Sequence, residues 1–168
     1  ITTCTGPLKN VWGATFDDGP SPNTQVVLDY FANLSMRTTF WVIGANVVQY
    51  PDMVLKSFSA GHQIALHTWS HPDLTTLSQQ QIVAELIYVA KAVFEVTGQF
   101  PKFFRPPYGA VNDQVREIAA MMGLRSVTWA DDSQDWSYVG TGNMYKVAQA
   151  FQSWMDQGKS NEISLEHD

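Results

Sequence analysis

Two adjacent carboxylates, Asp17 and Asp18, are the first residues in the chain whose types and spacing suggest chemistry. They follow an apolar stretch at 11–14 that predicts a buried strand, and Gly19-Pro20 ends that strand. Because neighbouring side chains of a strand point to opposite faces, the two carboxylates can diverge at its end, one toward a metal ion and one toward a substrate. Asp-Asp-Gly-Pro is also ordinary composition for a surface turn. The pair therefore predicts a site only if other polar groups converge on it.

A pair of histidines, His67 and His71, follows a later apolar segment. Their spacing is one helical turn, so both imidazoles can face one ion. Two histidines and one carboxylate form a common ligand set for catalytic zinc, which leaves positions open for water and substrate. The chain has four histidines, and this spacing also arises by chance. The position of both in one polar segment at a strand end favours a metal site.

Strand-like and helix-like segments alternate along the whole chain. Apolar and β-branched runs predict six strands, at 11–14, 38–43, 63–66, 102–105, 125–129 and 162–166. Caps, prolines and terminal glycines predict intervening helices, at 21–34, 51–61, 78–98, 112–123 and 147–158. In the first helix, the predicted apolar stripe is Val27, Tyr30, Phe31 and Leu34. This alternation predicts a parallel sheet covered by helices.

Polar residues that break the apolar pattern cluster at the carboxyl ends of the predicted strands. They are Asp17, Asp18, His67, His71, Arg105, Asp132, Asp135 and His167. Parallel α/β folds build their sites at this edge. Neighbouring strands lie about 4.8 Å apart, so the tips of an open six-stranded sheet would spread over more than about 20 Å. Because one metal site needs its ligands together, we predict a small or distorted (β/α) barrel rather than a doubly wound sheet.

The composition fits one domain with a sizeable core, since the chain has 168 residues of which 45% are hydrophobic. Aromatic residues make up 12% and charged residues 15%, and six residues are tryptophan, which suits sugar faces or apolar ligands. The net charge of -6 argues against a nucleic-acid partner. No apolar run is long enough for a membrane span.

Two features favour a secreted or cell-wall location. Asn33-Leu34-Ser35 is a sequon, which makes Asn33 a glycosylation candidate, although such triplets also occur by chance. Cys4 is a lone cysteine, and an odd cysteine in a secreted protein indicates a missing partner or a free thiol.

Five motifs then carry a family resemblance. TFDDGP, HTWSHP, RPPYG, DSQDW and ISLEHD, in this order, resemble the motifs of the NodB-homology polysaccharide deacetylases, carbohydrate esterase family 4. Within that family, the chain is most similar to fungal chitin deacetylases. The motifs run from Thr15 to Asp168, so the resemblance implies that 1–168 is a catalytic domain of this type. It also implies the distorted (β/α) barrel, with its site at the carboxyl ends of the strands.

The resemblance implies a role for each matching residue. Asp18, His67 and His71 would bind one divalent metal ion, with zinc expected first and cobalt or nickel as alternatives. The expected catalytic residues are Asp17 as general base, Arg105 to keep Asp17 ionised, His167 as general acid, and Asp135 to orient and charge His167. An arginine at a strand end is also often a structural ion pair.

The expected substrate contacts are aromatic and apolar. The backbone N–H of Tyr108 would help to bind the developing oxyanion, and Trp136 and Leu165 would line an acetyl pocket. Trp69 and Tyr138, in predicted loops, are further candidates for stacking on sugar rings, as are the rings of Tyr108 and Trp136. The remaining tryptophans considered fit core positions better: Trp12, Trp41, Trp129 and Trp154.

The predicted function is metal-dependent removal of N-acetyl groups from chitin or chito-oligosaccharides. The same chemistry on acetylated xylan or peptidoglycan is an alternative, as is a non-catalytic polysaccharide-binding relative. Iron-dependent oxygenation also uses two histidines and a carboxylate, but it needs no acid–base pair such as Asp17 and His167. We also expect a further segment beyond Asp168, from the same gene product or another chain, which covers the last strand and brings Cys4 a partner.

Overall fold

The computed structural model describes Ile1, Thr3 and residues 11–168. Cys4 lies outside the described residues, so its partner stays a prediction. Within these described residues, seven strands form one parallel sheet in the order β5-β4-β3-β2-β1-β7-β6. They are β1 (Gly13–Asp17), β2 (Thr39–Val42), β3 (Gln63–Leu66), β4 (Phe103–Phe104), β5 (Arg125–Ser126), β6 (Asp131–Asp132) and β7 (Ile163–His167). The sheet curls into a half-barrel, which confirms the predicted fold class.

Seven helices connect these strands: α1 (Thr24–Asn33), α2 (Gly44–Gln49), α3 (Pro51–Ser59), α4 (Gln79–Thr97), α5 (Asp113–Met121), α6 (Asp135–Tyr138) and α7 (Tyr145–Asp156). The longest, α4, begins at the predicted capping box of Ser78 and Gln81. It ends at Gly98, whose φ of 71° is the left-handed conformation that glycine adopts at low cost. None of the helices in the described part of the chain is long and apolar enough to cross a membrane.

Three elements were not predicted, because each is short and lacks an apolar pattern. They are α2, α6 and β6. The predicted stripe on α1 is also partly wrong, since Tyr30 is 63% exposed and Leu34 is 49% exposed. The buried face consists of Thr24, Leu28 and Phe31, at positions i, i+4 and i+7. Because the buried face begins with the polar Thr24, the apolar pattern of the sequence did not show which side of the helix is buried.

Apolar side chains pack on both faces of the sheet. One large cluster joins the strands to α1–α5, with Phe40, Leu66 and Phe104 among its members. A smaller cluster is formed by Trp41, Ala65, Val127 and Ile163, with Phe103 packed against it. The core position predicted for Trp41 is confirmed.

The helix α7 differs from the others because none of its residues is buried. Its Phe151 and Trp154 contact the ring of Trp12, with centroid distances of 6.2 and 5.7 Å. Trp12 and Trp154 are half-buried, so the core positions predicted for them are wrong.

Candidate active site

The carboxyl ends of β1, β3 and β7 surround a cavity of about 620 Å³. It is lined by Asp17, Asp18, His67, His71, Tyr108, Trp129, Asp132, Trp136, Val139, Leu165, His167 and Asp168. The parallel register places Asp17 of β1 directly beside His167 of β7. Residues from five separate sequence motifs therefore meet at one place.

Asp18, His67 and His71 form a possible metal site, since each offers one ligand atom and these atoms all lie within 4.8 Å of one another. Nε2 of His67 is 3.4 Å from Oδ1 of Asp18, and Nε2 of His71 is 3.2 Å from the same oxygen. This oxygen is buried and accepts no hydrogen bond from the residues that the structure describes.

The hydrogen bonds of the two imidazoles leave Nε2 available for a cation. Nδ1 of His67 is 2.8 Å from the backbone oxygen of Arg105. A carbonyl can only accept, so the proton is on Nδ1 and the lone pair on Nε2. Nδ1 of His71 is 3.2 Å from the hydroxyl of Tyr108, which can donate to the backbone oxygen of His71 at 3.4 Å. The Nε2 lone pairs of the two histidines and the Asp18 carboxylate therefore face the same point, an arrangement that suits a divalent ion.

Asp17 is buried beside the metal set and paired with Arg105. Nη1 of Arg105 donates to Oδ1 of Asp17 at 2.6 Å and to Oγ1 of Thr15 at 2.8 Å. Arg105 is fully buried, and its guanidinium lies 4.5 Å from the ring centre of Trp41 and 5.5 Å from that of Trp129. Cation–π contacts and the carboxylate together stabilise this buried charge.

Burial raises the pKa of Asp17 above its ordinary value, although the charges of His67 and Arg105 act in the opposite direction. Arg105 thus acts on this pKa in the expected direction, but the loss of solvation on burial exceeds the attraction and the net shift is upward. A raised pKa makes the Asp17 carboxylate a stronger proton acceptor, which suits a general base.

On the opposite side, Asp135 fixes His167. Oδ1 of Asp135 is 2.8 Å from Nδ1 of His167, and Oδ2 accepts from the His167 backbone N–H at 2.7 Å. Burial alone would lower the pKa of His167, but the hydrogen bond and charge of Asp135 outweigh it, and the pKa is raised. Nε2 of His167 points toward the metal set, 4.0 Å from Oδ2 of Asp18.

Several site residues have a left-handed backbone that residues other than glycine adopt only with strain. They are Asp18 (φ 72°), Thr68 (69°), His71 (62°) and Tyr108 (59°). Asp18, His71 and Tyr108 line the cavity, whereas Thr68 is fully buried in the turn between the two histidines. The sequence alone gives no signal of these conformations.

The aromatic predictions have mixed outcomes. Tyr108 and Trp136 lie in the cavity wall and are 69% and 61% exposed, as a sugar platform requires. Trp69 packs against the large core cluster instead and does not line the cavity. Tyr138 also lies outside the wall, with Lys146 5.4 Å from its ring centre. Trp129, predicted as a core residue, is half-buried and forms part of the wall.

Two carboxylic acids near the site were not predicted. Glu166 is 7% exposed, and burial raises its pKa to about 7, while one of its oxygens accepts from the backbone N–H of Thr15 at 3.1 Å. Burial raises the pKa of Asp168 to about 6, and its side chain accepts from the hydroxyl of Thr24. A charged residue inside an apolar strand pattern was the available signal for Glu166.

This fold and site define a hydrolase-like centre, and the comparisons identify its family. Residues 6–127 match the family model described as polysaccharide deacetylase. The chain belongs to this family, which confirms the resemblance seen in the motifs.

The relatives act on different polymers, as their names say. Chitin deacetylase 1 of Cryptococcus neoformans var. grubii is 42% identical over 180 residues, covering 96% of this chain and 38% of the relative. A peptidoglycan-N-acetylglucosamine deacetylase of Listeria monocytogenes is 44% identical over 133 residues, covering 79% and 28%. The chain thus spans less than half the length of both.

A solved structure supports the fold over almost the whole chain. The chitin deacetylase of Colletotrichum lindemuthianum superposes with a TM-score of 0.92 at 26% identity. The match covers 99% of this chain and 76% of that one.

Proposed function

We propose that this chain is the catalytic domain of a metal-dependent hydrolase. It removes N-acetyl groups from N-acetylglucosamine units of chitin or chito-oligosaccharides and releases acetate. The observation that supports this proposal most is the placement of a base and an acid beside one possible metal site. Asp17 lies 3.6 Å from Nε2 of His67, and His167 lies 4.0 Å from Asp18, in the same cavity.

Asp18, His67 and His71 would hold the metal ion, and nitrogen and oxygen ligands of this kind suit zinc, with cobalt and nickel as alternatives. When bound, such an ion polarises a carbonyl oxygen and makes water more acidic.

The residues of the chain divide the remaining work. The Asp17 carboxylate takes one proton from water as the water oxygen attacks the acetamide carbonyl carbon. Negative charge then develops on the carbonyl oxygen, and the backbone N–H of Tyr108 is the donor proposed to stabilise it. The C–N bond breaks as protonated His167 donates its proton to the departing amine nitrogen. Acetate and a free sugar amine are the products.

The substrate proposal relies on the cavity wall and on the relatives. Leu165 and Trp136 offer an apolar surface for the acetyl methyl group. The fungal relatives favour chitin, and the Listeria relative makes peptidoglycan the second candidate. Both polymers are found in cell walls, so we propose a secreted or cell-wall location. The exposed Asn33 stays a glycosylation candidate.

Acetate release from chitin oligomers, acetylxylan and peptidoglycan, assayed in parallel with and without a chelator, tests the proposal. We expect the highest rate on chitin oligomers, loss of activity with chelator and recovery on adding zinc. Far-UV circular dichroism of the chelated protein should keep its helical signal, because the site lies on loops above an independent core. Acetate release that is insensitive to chelation would overturn the metal proposal, and preference for another polymer would overturn the substrate.

A further inference from the structure

The segment 67–71 carries both histidines of the metal set, and its shape depends on a residue outside every motif. Thr68 and His71 both have positive φ values, 69° and 62°, which side chains disfavour. Such a turn persists when surrounding hydrogen bonds fix it. The bond within the turn runs from the His71 backbone N–H to Oγ1 of Thr68, at 3.0 Å.

Glu85 of α4 supplies the other acceptors. Its Oε2 accepts from the backbone N–H groups of Trp69 at 2.7 Å and Ser70 at 2.9 Å. Its Oε1 accepts from the Ser70 hydroxyl at 2.6 Å. One carboxylate thus accepts from the backbone N–H groups of both residues and from the serine hydroxyl, and both residues lie between His67 and His71. Charge-assisted bonds of this length are among the stronger hydrogen bonds in proteins.

The helix that presents Glu85 is fixed in the core. Its neighbours Ile82, Leu86 and Val89 are fully buried. On the other side of the segment, the backbone N–H groups of Gly44 and Ala45 donate to the carbonyls of Thr68 and Trp69, at 2.9 and 3.1 Å.

The contact between Gly44 and Trp69 leaves little freedom for movement. A Cβ atom at Gly44 would lie 2.4 Å from the indole ring of Trp69, closer than any real contact. The segment is therefore held between α2 and the Glu85 carboxylate.

We propose that Glu85 is a positioning residue for the metal site. It acts through the turn, setting the distance between His67 and His71 without touching the metal or substrate. This inference rests on the proposed metal site, and it names the residue that makes that site rigid. Partners outside the ligand set typically change metal affinity about 10- to 100-fold.

The test compares Glu85→Gln with wild type. An amide keeps one acceptor oxygen for the two backbone N–H groups and turns an NH₂ group toward the Ser70 hydroxyl, so the negative charge that strengthens these bonds is lost. We expect the zinc dissociation constant, measured by competition with a chelator, to rise at least about tenfold. The visible absorption spectrum of the cobalt-loaded protein should also change, because ligand geometry sets it.

Glu95→Gln is the matched control, since Glu95 lies on the same helix, is exposed and makes only a surface pair with Lys91 at 3.7 Å. Its metal affinity and spectrum should equal those of wild type. A purely structural role for Glu85 would lower the thermal stability of the metal-free protein and leave both metal readouts unchanged. That outcome would overturn the inference.

Ser70→Ala provides a second route, because it removes the hydroxyl donor and leaves the core and both backbone bonds in place. We expect a smaller, several-fold loss of zinc affinity. In the double variant with Glu85→Gln, Ser70→Ala should add little further loss. If Glu85→Gln does not fold, unchanged zinc affinity in Ser70→Ala overturns the inference by itself. Failure of wild type to bind zinc would instead contradict the proposed function.

Discussion

The two sides of the candidate active-site cavity, named by their proposed roles, differ in how they are supported. The metal side, formed by Asp17, Asp18, His67, His71 and Arg105, lies on strands covered by the large core cluster. The acid side, formed by Asp135, Trp136, Leu165 and His167, lies beside α6 and α7, and α7 has no buried residue.

The hydrogen bonds and charge contacts on the two sides of the cavity differ in the same way. On the metal side, Asp17 and Arg105 are almost fully buried and connected to Thr15 and two indole rings. On the acid side, His167 depends on one carboxylate, that of Asp135, and Trp136 is largely exposed. A change on the metal side should therefore affect both folding and catalysis. A change on the acid side should affect catalysis with less effect on folding.

The largest effect is expected from breaking the metal side with Asp17→Asn. The amide cannot accept the proton from water, so kcat should fall by about 1000-fold. The buried Arg105 also loses its counter-charge, which should lower the free energy of unfolding by about 3 kcal/mol. Zinc binding should persist, because Asp17 is outside the proposed ligand set. Acetate-release kinetics, urea unfolding and metal analysis measure these three quantities.

Asp18→Asn is the matched comparison for Asp17→Asn, since it should weaken zinc binding instead. A reversed pattern between the two variants would exchange the roles of base and ligand.

A smaller loss, about 100-fold in kcat, is expected from Asp135→Asn on the acid side. Asp135 raises the pKa of His167, so this variant should lower it. His167 must be protonated to act as the acid, so activity falls as pH rises through its pKa. The alkaline limb of the kcat profile should therefore move to lower pH. An unmoved limb would mean that another group is the acid.

The raised pKa of His167 also affects the stability of the folded state. A histidine whose folded pKa is raised stabilises the folded state fully below its unfolded pKa, near 6.5, and loses that contribution as pH rises through the folded value. The contribution should shrink in Asp135→Asn. The loss in free energy of unfolding should still be smaller for Asp135→Asn than for Asp17→Asn, because His167 is half-buried and stays in contact with solvent.

The smallest effect on catalysis is expected where the two sides meet, at Glu166 on β7, whose protonation affects stability instead. Burial raises its pKa from 4.5 to about 7, so the folded state binds this proton more tightly than the unfolded state. Stability from this group is therefore present at low pH and falls as pH rises from about 4.5 to about 7, by at most about 3 kcal/mol. Glu166→Gln stays neutral and should flatten that decline.

Urea unfolding of the metal-free protein between pH 5 and 8 measures this difference. Glu117→Gln, an exposed position on α5, is the control and should decline with pH as wild type does. Parallel curves for wild type and Glu166→Gln would show that Glu166 titrates normally.

Much of this arrangement follows from the sequence. The strand ends predicted the positions of Asp17, Asp18, His67 and His71, because polar residues after apolar runs mark the catalytic edge of a parallel sheet. The ligation itself, like the other catalytic roles, stays a prediction. What the sequence did not reveal depends on contacts between distant segments. Glu85 became visible only from its bonds to the turn at 67–71, and Trp129 only from its place beside Arg105.

The pairing of Asp17 with His167 across β1 and β7 has a consequence for how proteins with this site can diversify. The two residues stand opposite each other on hydrogen-bonded strands, whose separation of about 4.8 Å is a constant of β-structure. The separation of the two backbone positions is thus set by the β-ladder, and Asp135 fixes the ring of His167 above it. Loops around the cavity can change length and composition to select another polymer, while the spacing of base and acid stays the same.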